Sequence, residues 1–309
     1  PGDWLVEWKW DGIRAQIVRR AGAVWVWSRG EELVTDRFPE LAEAAMAQMP
    51  DGTVVDGEIL VWLPGEPQPR PFADLQKRLG RKTLGPKLLR ELPVVLVAYD
   101  LLEHAGQDLR QEPQQARRAL LEATLQRPDD TTIAPAAHKT LHLSELLHGV
   151  DWPDLARQRE AARSMGTEGF MLKHRSAQYG VGRTKDVGVW WKWKIDPMSV
   201  DAVLIYAQRG HGRRASLYTD YTFAVWTGPQ DDPERQLVPF AKAYSGLTDA
   251  EIAQVDAIIR KTTRESFGPV RSVDATLVFE LGFEGIAKSP RHKSGIAVRF
   301  PRMLRWRQD

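Results

Sequence analysis

The chain has no cysteine among its 309 residues. Disulfides and thiolate metal sites are therefore excluded, as suits a reducing compartment such as the cytoplasm. Net charge is almost absent: 43 Lys and Arg against 41 Asp and Glu leave +2 at neutral pH. That balance argues for a polyanionic partner only through where the cations sit. No apolar run approaches the ~18 residues of a membrane span. The stretch Leu92 to Leu102 is interrupted by Tyr99 and Asp100 and reads as a buried strand. A signal-peptide pattern, an internal repeat and a low-complexity tract are also lacking, so a membrane location is not expected. What is present is an ordinary globular composition, 27% charged, in a chain long enough for two domains with separate cores.

Short β-rich runs dominate, at 4–10, 14–20, 23–29, 53–62, 93–102, 168–174 and 188–195, separated by Gly, Pro and Asp. Helical spacing appears at Phe38, Leu41, Ala45 and Met49, again over 114–126, and over 153–165 with Pro153 suited to a first turn. This irregular interleaving predicts an α+β fold with antiparallel sheets. The texture changes at Asp196-Pro197, which places a boundary there. Beyond it a hairpin is expected from 200–208 and 215–227 with RGHGRR (Arg209 to Arg214) at its tip, then strands at 236–244, 275–288 and 296–306. Thr248 and Glu251 form a capping box before a helix with Ile252, Val255 and Ile259 on one stripe. About five strands and one helix match a small OB-type barrel.

Three strands share a charge pattern. In WLVEWKWDGI, Trp4, Val6, Trp8 and Trp10 alternate with Leu5, Glu7, Lys9 and Asp11, so one face is apolar and the other ionic. WWKWKI puts Lys192 and Lys194 opposite Trp191 and Trp193, and VVDGEILVW puts Asp56 and Glu58 on one face. Each alone reads better as a half-exposed strand with ordinary surface charge than as a pocket wall. Together, two cationic strands and one anionic strand are expected to converge on a cleft. On the same alternation, Glu168 and Lys173 fall on opposite faces unless a bulge intervenes.

These motifs carry a resemblance. Lys9-Trp-Asp11-Gly12-Ile-Arg14 resembles the K-x-D-G-x-R acceptor of the covalent nucleotidyltransferases, and others follow in order: Ser28-Arg29-Gly30-Glu31, Asp56-Gly57-Glu58, Tyr99-Asp100-Leu101, Glu168-Gly169-Phe170-Met171-Leu172-Lys173 and Trp191-Lys192-Trp193-Lys194. Arg299-Phe-Pro-Arg302 through Arg307 to Asp309 is similar to the motif that ligases carry in their OB domain. The set is most similar to ATP-dependent DNA ligases of the bacterial and cellular type. The resemblance implies a nucleotidyltransferase (adenylation) domain of ATP-grasp-like antiparallel sheets with helices over 1–196, followed by an OB-fold β-barrel over 197–309.

The chemistry it implies is ATP-dependent sealing of nicked double-stranded DNA through a lysyl-AMP on Lys9. A free lysine titrates near 10.4, so baring its amine at neutral pH costs about 4 to 5 kcal/mol. The expected field comes from Lys192, Lys194 and Arg14. The resemblance gives Glu58 the ribose hydroxyls, Tyr99 the adenine face, Glu7 a place beside the adenine edge, and Lys173 a place in the nucleotide site. Arg14 and Arg29 face ribose and the DNA 5′-phosphate, and Glu168, with Asp56 second, faces Mg²⁺ or Mn²⁺. Arg209, Arg213 and Arg214, with His211, suit phosphate contact; a solvated turn explains them equally well. Tyr99, taken alone, reads as core. His138, His142, His148 and His174 lack metal-ligand spacing and read as surface or packing residues.

Other expectations concern the context of the chain. Pro1 is an unusual start, so an upstream DNA-binding region is expected. The family motif continues to a lysine after the aspartate whereas this chain stops at Asp309, so weakened self-adenylation with retained sealing is expected. The resemblance further implies a monomer of the bacterial or archaeal cytosol. The alternatives are a capping guanylyltransferase, an RNA ligase, or a non-catalytic nucleic-acid-binding module.

Overall fold

The computed structural model describes residues 1–125, 139–180 and 189–309, which divide into two compact units, Pro1–Ile195 and Asp196–Asp309. The starting residue of the strand expected at 188–195, the last of the helix expected at 114–126, and His138 lie outside the described residues.

The first unit contains β1 (Trp4–Trp10), β2 (Ile13–Arg20), β3 (Ala23–Ser28), α1 (Pro39–Gln48), β4 (Thr53–Val61), α2 (Phe72–Leu79), α3 (Pro86–Glu91), β5 (Val94–His104) and β6 (Gln107–Asp108). It continues through α4 (Gln114–Leu125), β7 (Leu141–Leu143), β8 (Leu146–Leu147), α5 (Trp152–Arg159), β9 (Thr167–His174) and β10 (Trp190–Lys194). One sheet runs β3-β2-β4-β5-β6 with β7 parallel to β5; a smaller sheet runs β10-β9-β1-β8. β1 and β2 are adjacent in sequence yet belong to different sheets, so the turn at Asp11-Gly12 joins the two.

Residue choice explains these elements. In α1, Pro39 occupies the first turn, and Leu41 and Ala45 bury with the flanking Phe38 and Met49 against Ile17, Val26 and Leu96. Each large side chain so buried contributes about 1.5 to 3 kcal/mol. β4 and β5 are almost wholly buried, as suits their Val- and Leu-rich runs on either side of Asp56-Gly57-Glu58 and Tyr99-Asp100. The helix expected over 153–165 stops at Arg159 and gives way to turns; Asp151 caps it by accepting from the Asp154 amide at 2.8 Å. α2 and α3 were not expected: Gly, Pro and Arg around them mask their short apolar stripes.

The second unit contains β11 (Met198–Arg209), β12 (Tyr218–Trp226), β13 (Leu237–Ala243), α6 (Asp249–Thr262), β14 (Thr263–Phe267), β15 (Val270–Val273), β16 (Val278–Phe283), β17 (Gly285–Lys288), β18 (Ile296–Arg299) and β19 (Arg302–Arg307). β11 pairs with β12 along Val203–Arg209, with β16 along Met198–Val203 and with β15 along Tyr206–Gln208, so one long strand serves three partners and the antiparallel sheet curls. The capping box forms as expected, and Ile252, Val255 and Ile259 of α6 enter the core with Phe223 and Phe279.

The strands expected at 275–288 and 296–306 are each divided. Glu284 ends one, and Phe300, with φ at +51° before Pro301, ends the other. Their inner halves, β17 and β18, form a separate two-stranded hairpin. The β14–β15 hairpin was also unforeseen, since ESF and VRS carry no alternating apolar face.

Candidate active site

β1 buries Val6 and Trp8 with Phe170 and Leu155, which leaves Glu7 and Lys9 on the other face. Pairing with β9 matches Trp8 to Phe170 and then Trp10 to Thr167, so β9 carries one extra residue opposite Lys9. This bulge at Glu168-Gly169 breaks the alternation and puts Glu168 on the same face as Lys173. Gly169 has φ at +125°, and a Cβ there would come within 2.2 Å of the Trp193 backbone oxygen, so glycine alone fits. Glu168 is thereby ion-paired with Lys9, both side chains being just under one-fifth exposed, at 17% and 18%.

β10 pairs Lys192 with Met171 and Lys194 with Gly169, which sets both lysines on the Lys9 face. Burial, then the charges of Lys9, Lys194 and Arg29, lower the pKa of Lys192. The expected cationic crowd is thus present, but the direct partner of Lys9 is a carboxylate, and Arg14 is directed elsewhere.

Further along the same face, Lys173 reaches Glu7 at 2.7 Å, and Glu7 also accepts from Arg118 at 3.3 Å. Lys173 and Glu7 are each 2% exposed. Arg118 is held by the Ser144 carbonyl at 2.6 Å and Glu122 at 2.8 Å. Both Glu7 oxygens are engaged, so Glu7 stands behind the pocket wall rather than presenting a free carboxylate to a ligand.

The larger sheet supplies the opposite groups. Gly12 lies so close to β4 that a Cβ would meet the Ile59 oxygen at 2.1 Å, and its amide donates to Glu58 Oε1 at 3.2 Å. Burial raises the Glu58 pKa to about 7 against the pull of that amide and of Lys9 and Arg14. Arg14 grips the fully buried Asp56 at 2.7 and 3.3 Å. Tyr179 donates to Asp56 at 2.8 Å and accepts from Arg14 at 3.0 Å. Burial acts against the Arg14 charge, yet the hydrogen bonds that Arg14 donates to Asp56, with the nearby negative charge, prevail and its pKa rises.

β5 pairs Asp56 with Asp100 and Gly57 with Ala98, which leaves Tyr99 at a second bulge. Its ring is absent from every hydrophobic cluster and has the Lys173 ammonium 4.5 Å and the Arg14 guanidinium 6.0 Å from its centre. The reading of Tyr99 as core therefore fails. Its hydroxyl is pushed well up by burial and by Asp56 and Glu58. Arg117 clamps Asp100 at 2.9 and 3.1 Å behind it. Arg29, Arg14, Ser28, Asp56 and Tyr179 line an adjoining cleft of about 1060 Å³.

For a divalent ion the two expected carboxylates differ. Asp56 has both oxygens occupied by Arg14 and Tyr179, so the second metal expectation does not fit. Glu168, partly exposed with one ammonium partner, does fit an oxygen-seeking ion. Among the described residues no group of three or more His, Cys, Asp or Glu is placed to hold a metal. His142 stacks on Trp62 and His174 packs edge-on to Trp4, in the packing roles expected.

Tyr179, Arg117 and Arg118 were missed. Tyr179 follows β9 in irregular chain, and the two arginines look like solvent-facing charges on an amphipathic helix; only their burial against Asp100 and Glu7 distinguishes them.

In the second unit, Arg214 pairs with the exposed Asp249 at 3.1 Å and Arg209 stacks 5.7 Å from Tyr218; Arg213 lies at the tip. Arg302 binds Glu284 at 3.0 Å, Arg307 binds Asp201 and Asp309 at 2.9 Å each, and Arg299 lies over Phe300 at 4.8 Å.

Residues 1–194 match the family profile "ATP dependent DNA ligase domain", and residues 214–309 match "ATP dependent DNA ligase C terminal region". The chain belongs to the ATP-dependent DNA ligase family. It is 39% identical to a probable DNA ligase of Koribacter versatilis over 99% of this chain and 53% of that protein. It is 34% identical to a DNA ligase of Haloferax volcanii over 100% of this chain and 51% of that protein. The chain therefore spans about half the length of these relatives. Among solved structures, mycobacterial DNA ligase D complexed with ATP and MES aligns over 100% of this chain and 90% of its own, at 25% identity and a TM-score of 0.51. The ligase nucleotidyltransferase and OB folds are thus those of this chain, and the capping, RNA-ligase and non-catalytic alternatives are not favoured. Among the described residues no helix is long and apolar enough to cross a membrane.

Proposed function

We propose that this chain is the catalytic portion of an ATP-dependent DNA ligase that seals 5′-phosphate/3′-hydroxyl nicks, with residues 1–196 as its adenylation domain and 197–309 as its OB domain. The observation that carries the reading is the bulge-directed pairing of Lys9 with Glu168 beside Lys192 and Lys194. Such a pair holds the ammonium in place until ATP arrives. Lys9 then releases one proton to solvent, its neutral nitrogen bonds to the α-phosphorus with release of a second N–H proton, and the bond from that phosphorus to the pyrophosphate oxygen breaks.

Lys192 and Lys194 stabilise charge on the α-phosphate oxygens. Tyr99 offers its ring to the adenine with Lys173 and Glu7 shaping the pocket behind it, and Glu58 takes the ribose hydroxyls. Arg14, oriented by Asp56 and Tyr179, and Arg29 receive the ribose and the DNA 5′-phosphate. In the following steps that phosphate takes AMP from Lys9, and the 3′-hydroxyl then displaces AMP. Glu168 would hold Mg²⁺ or Mn²⁺, which when bound neutralises triphosphate charge. Arg209, Arg213 and Arg214 contribute phosphate contacts, and Arg299, Arg302, Arg307 and Asp309 form the OB-domain motif. The protein acts as a monomer in the cytosol, with DNA contacts from further parts of the ligase.

Incubation with α-labelled ATP and Mg²⁺ followed by a denaturing gel tests this. Label on the parent and none on Lys9→Ala is expected. Equal label on both removes Lys9 as nucleophile, and label from GTP alone returns the capping alternative. Sealing of a pre-adenylated nick by the same preparations reads the last step separately.

A further inference from the structure

From Gly285 to Gln308 the chain has seven Lys or Arg and no Asp or Glu. The structure divides six of these cations into two sets, and the seventh, Arg299, lies over the Phe300 ring at 4.8 Å. On β19, Arg302 is paired with Glu284 at 3.0 Å, Arg305 with Glu280 at 3.7 Å, and Arg307 with Asp201 and Asp309 at 2.9 Å each. On the β17–β18 hairpin, Lys288, Arg291 and Lys293 are exposed and make no ion pair among the described residues. The hairpin belongs to neither large sheet, so its only ladder is its own, from Gly285 opposite Arg299 to Lys288 opposite Ile296.

Its tip is a built loop. The Ser289 amide donates to Gly295 at 2.8 Å and the Gly295 amide to His292 at 2.9 Å. The Ser289 hydroxyl meets His292 Nδ1 at 2.6 Å, and Pro290 limits the backbone further. Three cations with no carboxylate partner among the described residues are thus presented from a closed turn, whose backbone has little ordering entropy left to lose when they meet a ligand. By contrast, the RGHGRR tip, which the sequence singled out for phosphate contact, has Arg214 on Asp249 and Arg209 on Tyr218.

We propose that the β17–β18 arm, through Lys288, Arg291 and Lys293, docks on the phosphate backbone of duplex DNA and contributes more of the second unit's salt-sensitive affinity than the RGHGRR tip does. The choice of DNA as the polyanion rests on the ligase reading. The arm fits backbone: exposed cations at a turn tip neutralise phosphates, which positions a protein on duplex DNA without requiring a particular sequence.

Binding of the full chain to a nicked duplex with a 5′-hydroxyl, without ATP or metal, is measured across a salt series. Each phosphate contact contributes about 0.9 to the slope of log affinity against log salt. The triple variant Lys288→Ala/Arg291→Ala/Lys293→Ala is expected to lose about 2 to 3 from that slope. The variant Lys288→Arg/Lys293→Arg keeps it, and Arg213→Ala/Arg214→Ala loses less than about 1. An unchanged slope in the triple variant, with its melting curve intact, overturns the proposal. So does an equal loss from the RGHGRR variant. Labelling of Lys9 from ATP without DNA is followed in the same samples. Loss of slope with no labelling in the parent supports the arm and sinks the ligase reading; normal labelling with no slope change does the reverse.

Discussion

Lys9 and Lys173 stand on one face of one small sheet, each against a carboxylate, and the structure gives them different fates. Lys173 is enclosed: Glu7 takes it at 2.7 Å, Arg118 takes the other oxygen of Glu7, and the rings of Tyr99 and Trp190 lie 4.5 and 4.7 Å from the ammonium. Lys9 is reachable, with a single partner delivered by a bulge. A buried ion triad is costly to break because one lost partner strands a desolvated charge. The Lys9–Glu168 pair keeps some solvent contact, at 18% and 17% exposed, and is easier to part than that triad, which suits a group proposed to shed its counter-ion and proton. Position in the fold, rather than residue type, separates the enclosed Lys173 from the Lys9 that we propose as nucleophile.

The most drastic way to break this comparison is Lys9→Ala, which should abolish covalent labelling by ATP while melting stays near the parent's; unaltered labelling would merge the two lysines' roles. Next is the enclosed end: Lys173→Met or Glu7→Gln should cost about 3 to 5 kcal/mol in chemical denaturation. A change under about 1 kcal/mol would mean that the triad is dispensable. Gly169→Ala sharpens the role of the bulge. Forcing a side chain at φ +125° into the Trp193 carbonyl should cost roughly 1 to 3 kcal/mol. It should also lower labelling at least about tenfold, by moving Glu168 from Lys9. Full labelling by that variant would show that the pairing is incidental.

The smallest expected effect is on pH dependence. Glu58 titrates at about 7 in the folded chain against an ordinary 4.5, because burial disfavours its charge. Between those values the folded state retains a proton that the unfolded chain has released, so this residue makes stability fall as pH rises from about 4.5 to about 7. The fall is at most ~3 kcal/mol and less with solvent screening. Glu58→Gln should flatten that slope in denaturation curves taken across the window, and an unchanged slope would contradict the buried placement.

Much of this site was legible in the sequence, because period-two alternation is a local rule: it sorted Glu7 and Lys9 from Val6 and Trp8, and Lys192 and Lys194 from Trp193. It failed where the ladder is irregular. The extra residue at Glu168-Gly169 and the one at Tyr99 depend on partner strands distant in sequence, so parity could mark the conflict between Glu168 and Lys173 without resolving it. Tyr179 and Arg118 were invisible for a related reason, since nothing near them in the chain shows that Asp56 or Glu7 lies opposite. In the second unit the sequence ranked cations by cluster and could not show their pairing: Arg214 has Asp249, and Lys288 has no carboxylate partner among the described residues.

The most direct measurement is peptide mapping by mass spectrometry after incubation of the intact chain with ATP and Mg²⁺. The account predicts AMP, bound through an acid-labile N–P bond, on the peptide carrying Lys9, with the Lys173 peptide unmodified. Adenylate on Lys173, or an unmodified Lys9 peptide in a chain that seals nicks, would contradict it.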